Sequence, residues 1–104
     1  MAKFVLAYTG GGAPGSPEEQ QAVMEAWMGW FGALGDAVID MGNPFGAACS
    51  IAADGAVSDG GASGLTGYSI IEAADLADAA AKAKGCPVLG NGGGLQVYEA
   101  APVM

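Results

Sequence analysis

Histidine and arginine are absent from this chain, and three lysines stand against eleven Asp and Glu. Each absence closes a class of function. Three cations within a formal net charge of −8 cannot neutralise a phosphate backbone, which excludes nucleic-acid binding. The same deficit excludes docking on an anionic membrane surface. Without histidine there is no Ser-His-Asp or Cys-His engine and no histidine metal site. Without arginine there is no bidentate clamp for carboxylate or phosphate substrates. No apolar run approaches the ~20 residues of a bilayer span. The N-terminal run Phe4-Val-Leu-Ala-Tyr8 gives way at once to glycine-rich sequence. It therefore reads as a strand rather than a signal peptide, and the expected location is cytoplasmic. Cysteine occurs only at Cys49 and Cys86, with no CxxC spacing. Both are read as reduced, half-buried thiols.

What is present is apolar. Hydrophobic residues make up 52% of the 104 and charged residues 13%, so the chain folds despite its 19 glycines. The length is that of a single domain, residues 1–104. A chain of this size buries only about 60–70% of its unfolded surface, so its core is modest.

The order of elements follows from periodicity and caps. Residues 3–8 are apolar at every position, which predicts a strand covered on both faces. Ser16-Pro17-Glu18-Glu19 is a helix start: a capping serine, a proline at the first helical position, and a glutamate three residues after the cap. The helix should run to about Leu34, with Gly35 ending it. Its apolar stripe is Val23, Trp27, Trp30, Phe31 and Leu34, flanked by Met24 and Met28. Gly29 and Gly32 fall on the outward face, where another subunit has room to approach. Residues 37–41 read as a short strand, 47–53 as a strand of small residues, and Asp54-Gly55 as a hairpin turn. Residues 56–58 lead into the glycine-rich stretch Asp59–Gly64. Residues 66–73 form a strand that is again apolar on both faces. Asp75 caps a second helix through about Lys84, with an outward Asp78–Lys82 pair. Gly85 and Pro87 end it, Asn91–Gly94 is a turn, and 95–99 is the last strand.

The resulting order, β-α-β-β-α-β with right-handed crossovers, predicts a ferredoxin-like α+β fold with an antiparallel sheet. Both helices then cover one sheet face. The other face is also apolar, and no element is left to cover it. A second copy packed sheet against sheet supplies the cover, giving a homodimeric α+β barrel.

Few motifs carry chemistry. Gly10-x-Gly12-x-x-Gly15 with Asp36 about twenty residues on matches a dinucleotide fingerprint in letters. It fails in mechanism. Pro14, Ser16 and Pro17 delay the helix past the last glycine, and the prolines remove amide donors that would meet a pyrophosphate. No phosphate-binding loop or EF-hand loop is present, and no carboxylates share a helix face at ligand spacing, so no metal and no cofactor is expected. Trp27 and Trp30 read first as core, and second as an aromatic wall for a small ligand. Asp59 lies between a strand and glycines rather than on a helix surface. It reads as an Asp-Gly turn residue or, if walled by apolar groups, as a general acid or base. Asp36 and Asp40 read as solvated.

Several segments together resemble the YCII-related family, in its DGPF-type branch. They are Lys3–Tyr8, Ser16–Glu19, Trp27–Phe31, Gly42–Phe45, Val57–Gly60, Gly67–Glu72, Gly85–Pro87 and Leu95–Glu99. The resemblance implies a dimeric α+β barrel and an acidic site residue, which falls on Asp59. The chain departs from the family pattern in two ways. Gly61-Ala62 replaces the Pro-Phe that usually follows Asp-Gly, and the histidine that partners the acid in the YCII branch has no counterpart. Most members are of unknown function, and a few related proteins look like lyases or dehalogenases acting on products of aromatic-ring breakdown.

The expected function is a small-molecule pocket protein with lyase- or dehalogenase-like acid–base chemistry on a small aromatic-derived or lactone-like compound. Asp59 would be the acid/base, Tyr8 and Asn43 the polar contacts, and Trp27 and Trp30 the wall. The alternative is a non-catalytic dimeric module that binds a ligand or a protein. Catalysis through Cys86 ranks below both, because a helix C-terminus disfavours a thiolate. The acidic surface favours a neutral or aromatic ligand over an anion.

Overall fold

The computed structural model describes residues 1–10, 15–61 and 64–101. The glycine-rich stretches 10–15 and 59–64 therefore lie partly outside the described residues. The fold is α+β, with two helices and antiparallel sheets. The strands are β1 (Ala2–Thr9), β2 (Val38–Asp40), β3 (Cys49–Ile51), β4 (Val57–Asp59), β5 (Leu65–Ala73) and β6 (Gly94–Glu99). The helices are α1 (Pro17–Leu34) and α2 (Leu76–Ala83). Four strands make the main sheet in the order β2-β5-β1-β6, and β3 pairs only with β4 in a separate two-stranded ribbon. No helix among the described residues is long and apolar enough to cross a membrane.

The helix starts follow their capping chemistry. The Glu19 N–H donates to Ser16 Oγ at 3.1 Å, satisfying one of the free amides of the first turn. The Glu19 carboxylate reaches back to the Gly15 N–H at 2.8 Å, one residue before the cap. Asp75 caps α2 by accepting from the Asp78 N–H at 2.8 Å, and Asp78 pairs with Lys82 at 2.7 Å. Pro87 does more than end that helix. It opens a 3-10 turn over Pro87–Asn91.

Strand alternation divides the main sheet into two faces. Phe4, Leu6 and Tyr8 of β1 point the same way as Ile71 and Ala73 of β5, and all are buried. Trp30 of α1, Ala79 and Ala83 of α2, and Cys86 and Val88 complete this core. Both helices thus lie on one side. The opposite face carries Val5 and Ala7, with Val5 in register between Ile70 and Tyr98, and Ala7 between Tyr68 and Gln96. No described element of the chain covers it.

Two expectations change. The small-residue strand is shorter than 47–53, and residues 57–59 are its partner rather than a lead into a loop. The strands, Cys49-Ser-Ile51 and Val57-Ser-Asp59, are flanked by Ala and Gly and bury too little to lengthen. The thiols are not alike: Cys86 is buried, whereas Cys49 is exposed on the ribbon.

Candidate functional site

Helix α1 meets the sheet mainly through its C-terminal half. Trp30 is its one buried residue, while Val23, Trp27, Phe31 and Leu34 are half-buried. Between the helix and the sheet a cavity of about 770 Å³ opens to solvent. Val23, Met24, Trp27, Met28 and Phe31 line its helix side, with Gln20 near the helix start. Tyr8, Gly67, Ser69 and Val88 contribute the sheet side, and the segment Met41–Pro44 the far rim.

That rim is seated by backbone bonding. Pro44 forms an isolated bridge with Gly67, and the Phe45 N–H donates to the Thr66 carbonyl at 2.9 Å. Gly67 permits the approach, since a Cβ there would lie 3.2 Å from the Asn43 carbonyl. Gly42 turns at φ +76°, and its N–H donates to Asp40 Oδ1 at 2.8 Å.

The closed end of the cavity is polar but internally satisfied. The Tyr8 hydroxyl donates to Ser69 Oγ at 2.7 Å, and Ser69 Oγ donates to the Met41 carbonyl at 2.7 Å. The Cys86 thiol lies beside the same phenol. This chain of hydroxyls ties β1, β5, the rim and the segment after α2 together. Burial pushes the Tyr8 phenol well above its ordinary value, a rise opposed by the Ser69 hydrogen bond and reinforced by Cys86. Burial likewise pushes the Cys86 thiol up, against the Val88 amide and the Tyr8 hydroxyl, which lower it. Both groups are neutral proton holders here, not bases.

A stability prediction follows from the sign of these shifts. Acids whose folded pKa is raised contribute stability that is whole below their unfolded pKa and is lost as pH rises. Urea midpoints should therefore hold through neutrality, fall from about pH 8.5 as the thiol range is entered, and fall faster above about pH 10. Tyr8→Phe should flatten the second phase. An equal fall in Tyr8→Phe and wild type above about pH 10 would show that the buried phenol is not its source.

The residues singled out from sequence are divided by the structure. Tyr8, Trp27 and Asn43 line the cavity together, and Tyr8 and Trp27 meet edge to face at 5.1 Å. Trp30 stands behind the wall in the core, its indole N–H donating to the Lys82 carbonyl at 3.2 Å. Asp59 is elsewhere. It ends β4, pairs with Cys49, faces solvent within the single chain and does not line the cavity. Sequence reasoning did not single out Met24, Met28, Met41 and Ser69 as lining residues. Met24 and Met28 follow the stripe at i,i+4, and Ser69 shares the inward parity of Gly67 and Ile71, so a signal existed for these three; Met41 lies on the rim after β2, where no periodicity points to it.

None of the described lining residues carries a charge. Among the described residues no three His, Cys, Asp or Glu side chains converge on a point that could hold a metal ion. The arrangement offers an apolar, aromatic- and methionine-walled groove with amides at its rim. No family model matches the sequence, and no curated protein or solved structure is similar to it.

Proposed function

We propose that this chain is a non-catalytic, dimeric binding module whose groove takes a small, neutral, largely apolar or aromatic molecule. The observation that carries the reading is the uncharged groove of about 770 Å³ beneath Trp27, a size and lining suited to such a ligand. Proton-transfer chemistry needs a titratable group in reach of the substrate. At the groove's closed end Tyr8 is spent in a hydrogen-bonded chain and, like the neighbouring Cys86 thiol, held neutral by burial. Asp59 lies on the ribbon, which favours binding over the lyase-like reading. An anionic ligand would meet no cation there to offset its desolvation.

The sheet order β2-β5-β1-β6, with every neighbour antiparallel, supports a ferredoxin-like architecture and membership of the YCII-related family. The uncovered sheet face supports the homodimer. Its centre, Val5, Ala7, Ile70 and Tyr68, is uncharged; Lys3 and Glu72 lie opposite each other at one end, and Asp40 stands beside Ile70 at the β2 edge, accepting from the Tyr68 hydroxyl. On a chain of net charge −8, a face with an uncharged centre is where two copies meet with the least repulsion.

The test pairs a neutral aromatic with an anionic one of similar size. Indole should raise the melting temperature, by roughly 10–20 °C at a concentration near 100 times its Kd, and benzoate should not. Trp27→Ala should abolish the indole shift, and Asp59→Asn should leave it intact. Preference for benzoate, or undiminished indole binding by Trp27→Ala, would refute the assignment.

A further inference from the structure

The β3–β4 ribbon is the part of the fold least explained by the chain's own packing. Its strands pair over three positions, Cys49–Asp59, Ser50–Ser58 and Ile51–Val57. Neither strand makes appreciable contact with the main sheet or with either helix. Ile51 and Val57 lie side by side on one face of the ribbon, 68% and 66% exposed. The molecule is correspondingly flat and spread, 44 × 41 × 18 Å, with a radius of gyration of 15.0 Å. A compact chain of this length would have about 13 Å. An isolated two-stranded ribbon is at best marginally stable in water, so an arm of this kind needs a surface to lie on.

A second copy seated on the open sheet offers one, and that sheet is a small footprint for the dimer proposed above. Its strands are 8, 3, 9 and 6 residues long. At roughly 3.3 Å per residue and about 4.8 Å between strands they present on the order of 400 Å² in projection. A stable dimer buries about 800 Å² per partner. The apolar surface also continues toward the arm. Tyr68 on the open face stacks on Phe45 at 5.8 Å, and Phe45 leads directly into the ribbon.

We propose that the β3–β4 ribbon is a dimerisation arm, which packs its Ile51–Val57 face on a second copy of this chain at the margin of the sheet-to-sheet contact, beside the Tyr68–Phe45 stack. The inference rests on the sheet-to-sheet dimer and names what completes it. Each copy gives one arm and receives one, as two-fold symmetry requires. Cys49 lies on the same ribbon face as Ile51, so the arm carries its own reporter.

Sedimentation equilibrium on wild type, on Ile51→Glu/Val57→Glu and on Tyr98→Glu tests this. All three altered side chains are exposed in the single chain, so far-UV circular dichroism should be unchanged. Wild type should be a dimer, and the arm variant should dissociate with a Kd higher by on the order of 100-fold. In parallel, alkylation of wild-type Cys49, followed by peptide mass spectrometry, should slow as protein concentration rises. If the arm variant dimerises like wild type while Tyr98→Glu does not, the arm is refuted and the sheet dimer stands. A monomeric wild type refutes both, with indole binding still deciding the groove separately. Cys49 protection that ignores concentration means that the ribbon folds onto its own chain, and no protection at all means that it docks nowhere; either overturns the arm.

Discussion

Trp30→Ala is expected to lower stability by about 3–5 kcal/mol, the usual cost of emptying a buried tryptophan site. For a domain that is stable by only about 5–15 kcal/mol this is a large fraction of the whole. Three roles converge on this side chain. It is the one buried residue of α1, so it carries the attachment of that helix to the rest of the core. Its ring meets Phe31 at 5.0 Å and Trp27 at 5.8 Å, holding the aromatic wall of the groove from behind. Its indole N–H donates to the Lys82 carbonyl in the last turn of α2, which otherwise accepts only the longer 3.4 Å bond from the Gly85 N–H. Gly85 leaves the space: a Cβ there would stand 3.2 Å from the indole Cδ1. The melting temperature should fall by roughly 15–30 °C. Trp30→Phe separates the roles, because it keeps most of the packing while losing the N–H and part of the ring. It should cost about 1–2 kcal/mol. Equal losses in the two variants would place the effect in the hydrogen bond, and a small loss in both would show that α1 is held by other contacts.

The importance of Trp30 was only half visible in the sequence. Its spacing from Val23, Trp27 and Leu34 marks it as part of the stripe, as the structure finds. The stripe does not reveal that α1 lies close at Trp30 and open at Met24 and Met28. That depends on where α2 and the turn after it stand, which is a matter of tertiary packing rather than of period. The helix ends were legible because their signals are local: Ser16 with Glu19, and Asp75 with Asp78, bond within a single turn. The ribbon was legible as one strand within 47–53 and a hairpin turn at Asp54-Gly55, but not its second strand or its place apart from the sheet. Three-residue strands built of small residues carry no hydrophobic period, so their separation from the main sheet leaves no trace in the pattern. Asp59 shows the same limit. Ser-Asp-Gly marks an acid beside a turn, but the direction in which its ribbon leaves the sheet decides what that acid can touch. Ser69 was hidden by its neighbours, since a serine between Tyr68 and Ile70 reads as a polar interruption. In the fold it is the fully buried link between Tyr8 and the Met41 carbonyl.

Gly42→Ala should both destabilise the protein and open the groove. A Cβ at this position would lie 1.7 Å from the Tyr68 carbonyl oxygen and 2.6 Å from its carbon, both of them backbone atoms of a central strand. Nothing at the end of a flexible side chain is available to move aside. The residue also turns at φ +76°, where an L side chain is strained even in open space. The cost should be about 3 kcal/mol or more, because the strained backbone and the clash add to each other. Relief comes only if the segment Met41–Pro44 lifts from β5. Lifting it breaks the Ser69 bond to the Met41 carbonyl and the Pro44–Gly67 bridge, and the rim of the groove goes with them. Indole binding should therefore fall further than global stability alone would require. Measured well below the melting temperature of the variant, with the protein still folded by circular dichroism, its affinity should drop by at least tenfold, or about 1.4 kcal/mol. Amide exchange should quicken at Tyr68, whose N–H donates to the Asn43 carbonyl, while Phe4 and Leu6 stay protected. Wild-type affinity in a destabilised variant would mean that the ligand sits against α1 alone and that the rim is scaffold. Unchanged stability would mean that the turn at Gly42 relaxes without strain, and the close seam between the rim and β5 would have to be abandoned.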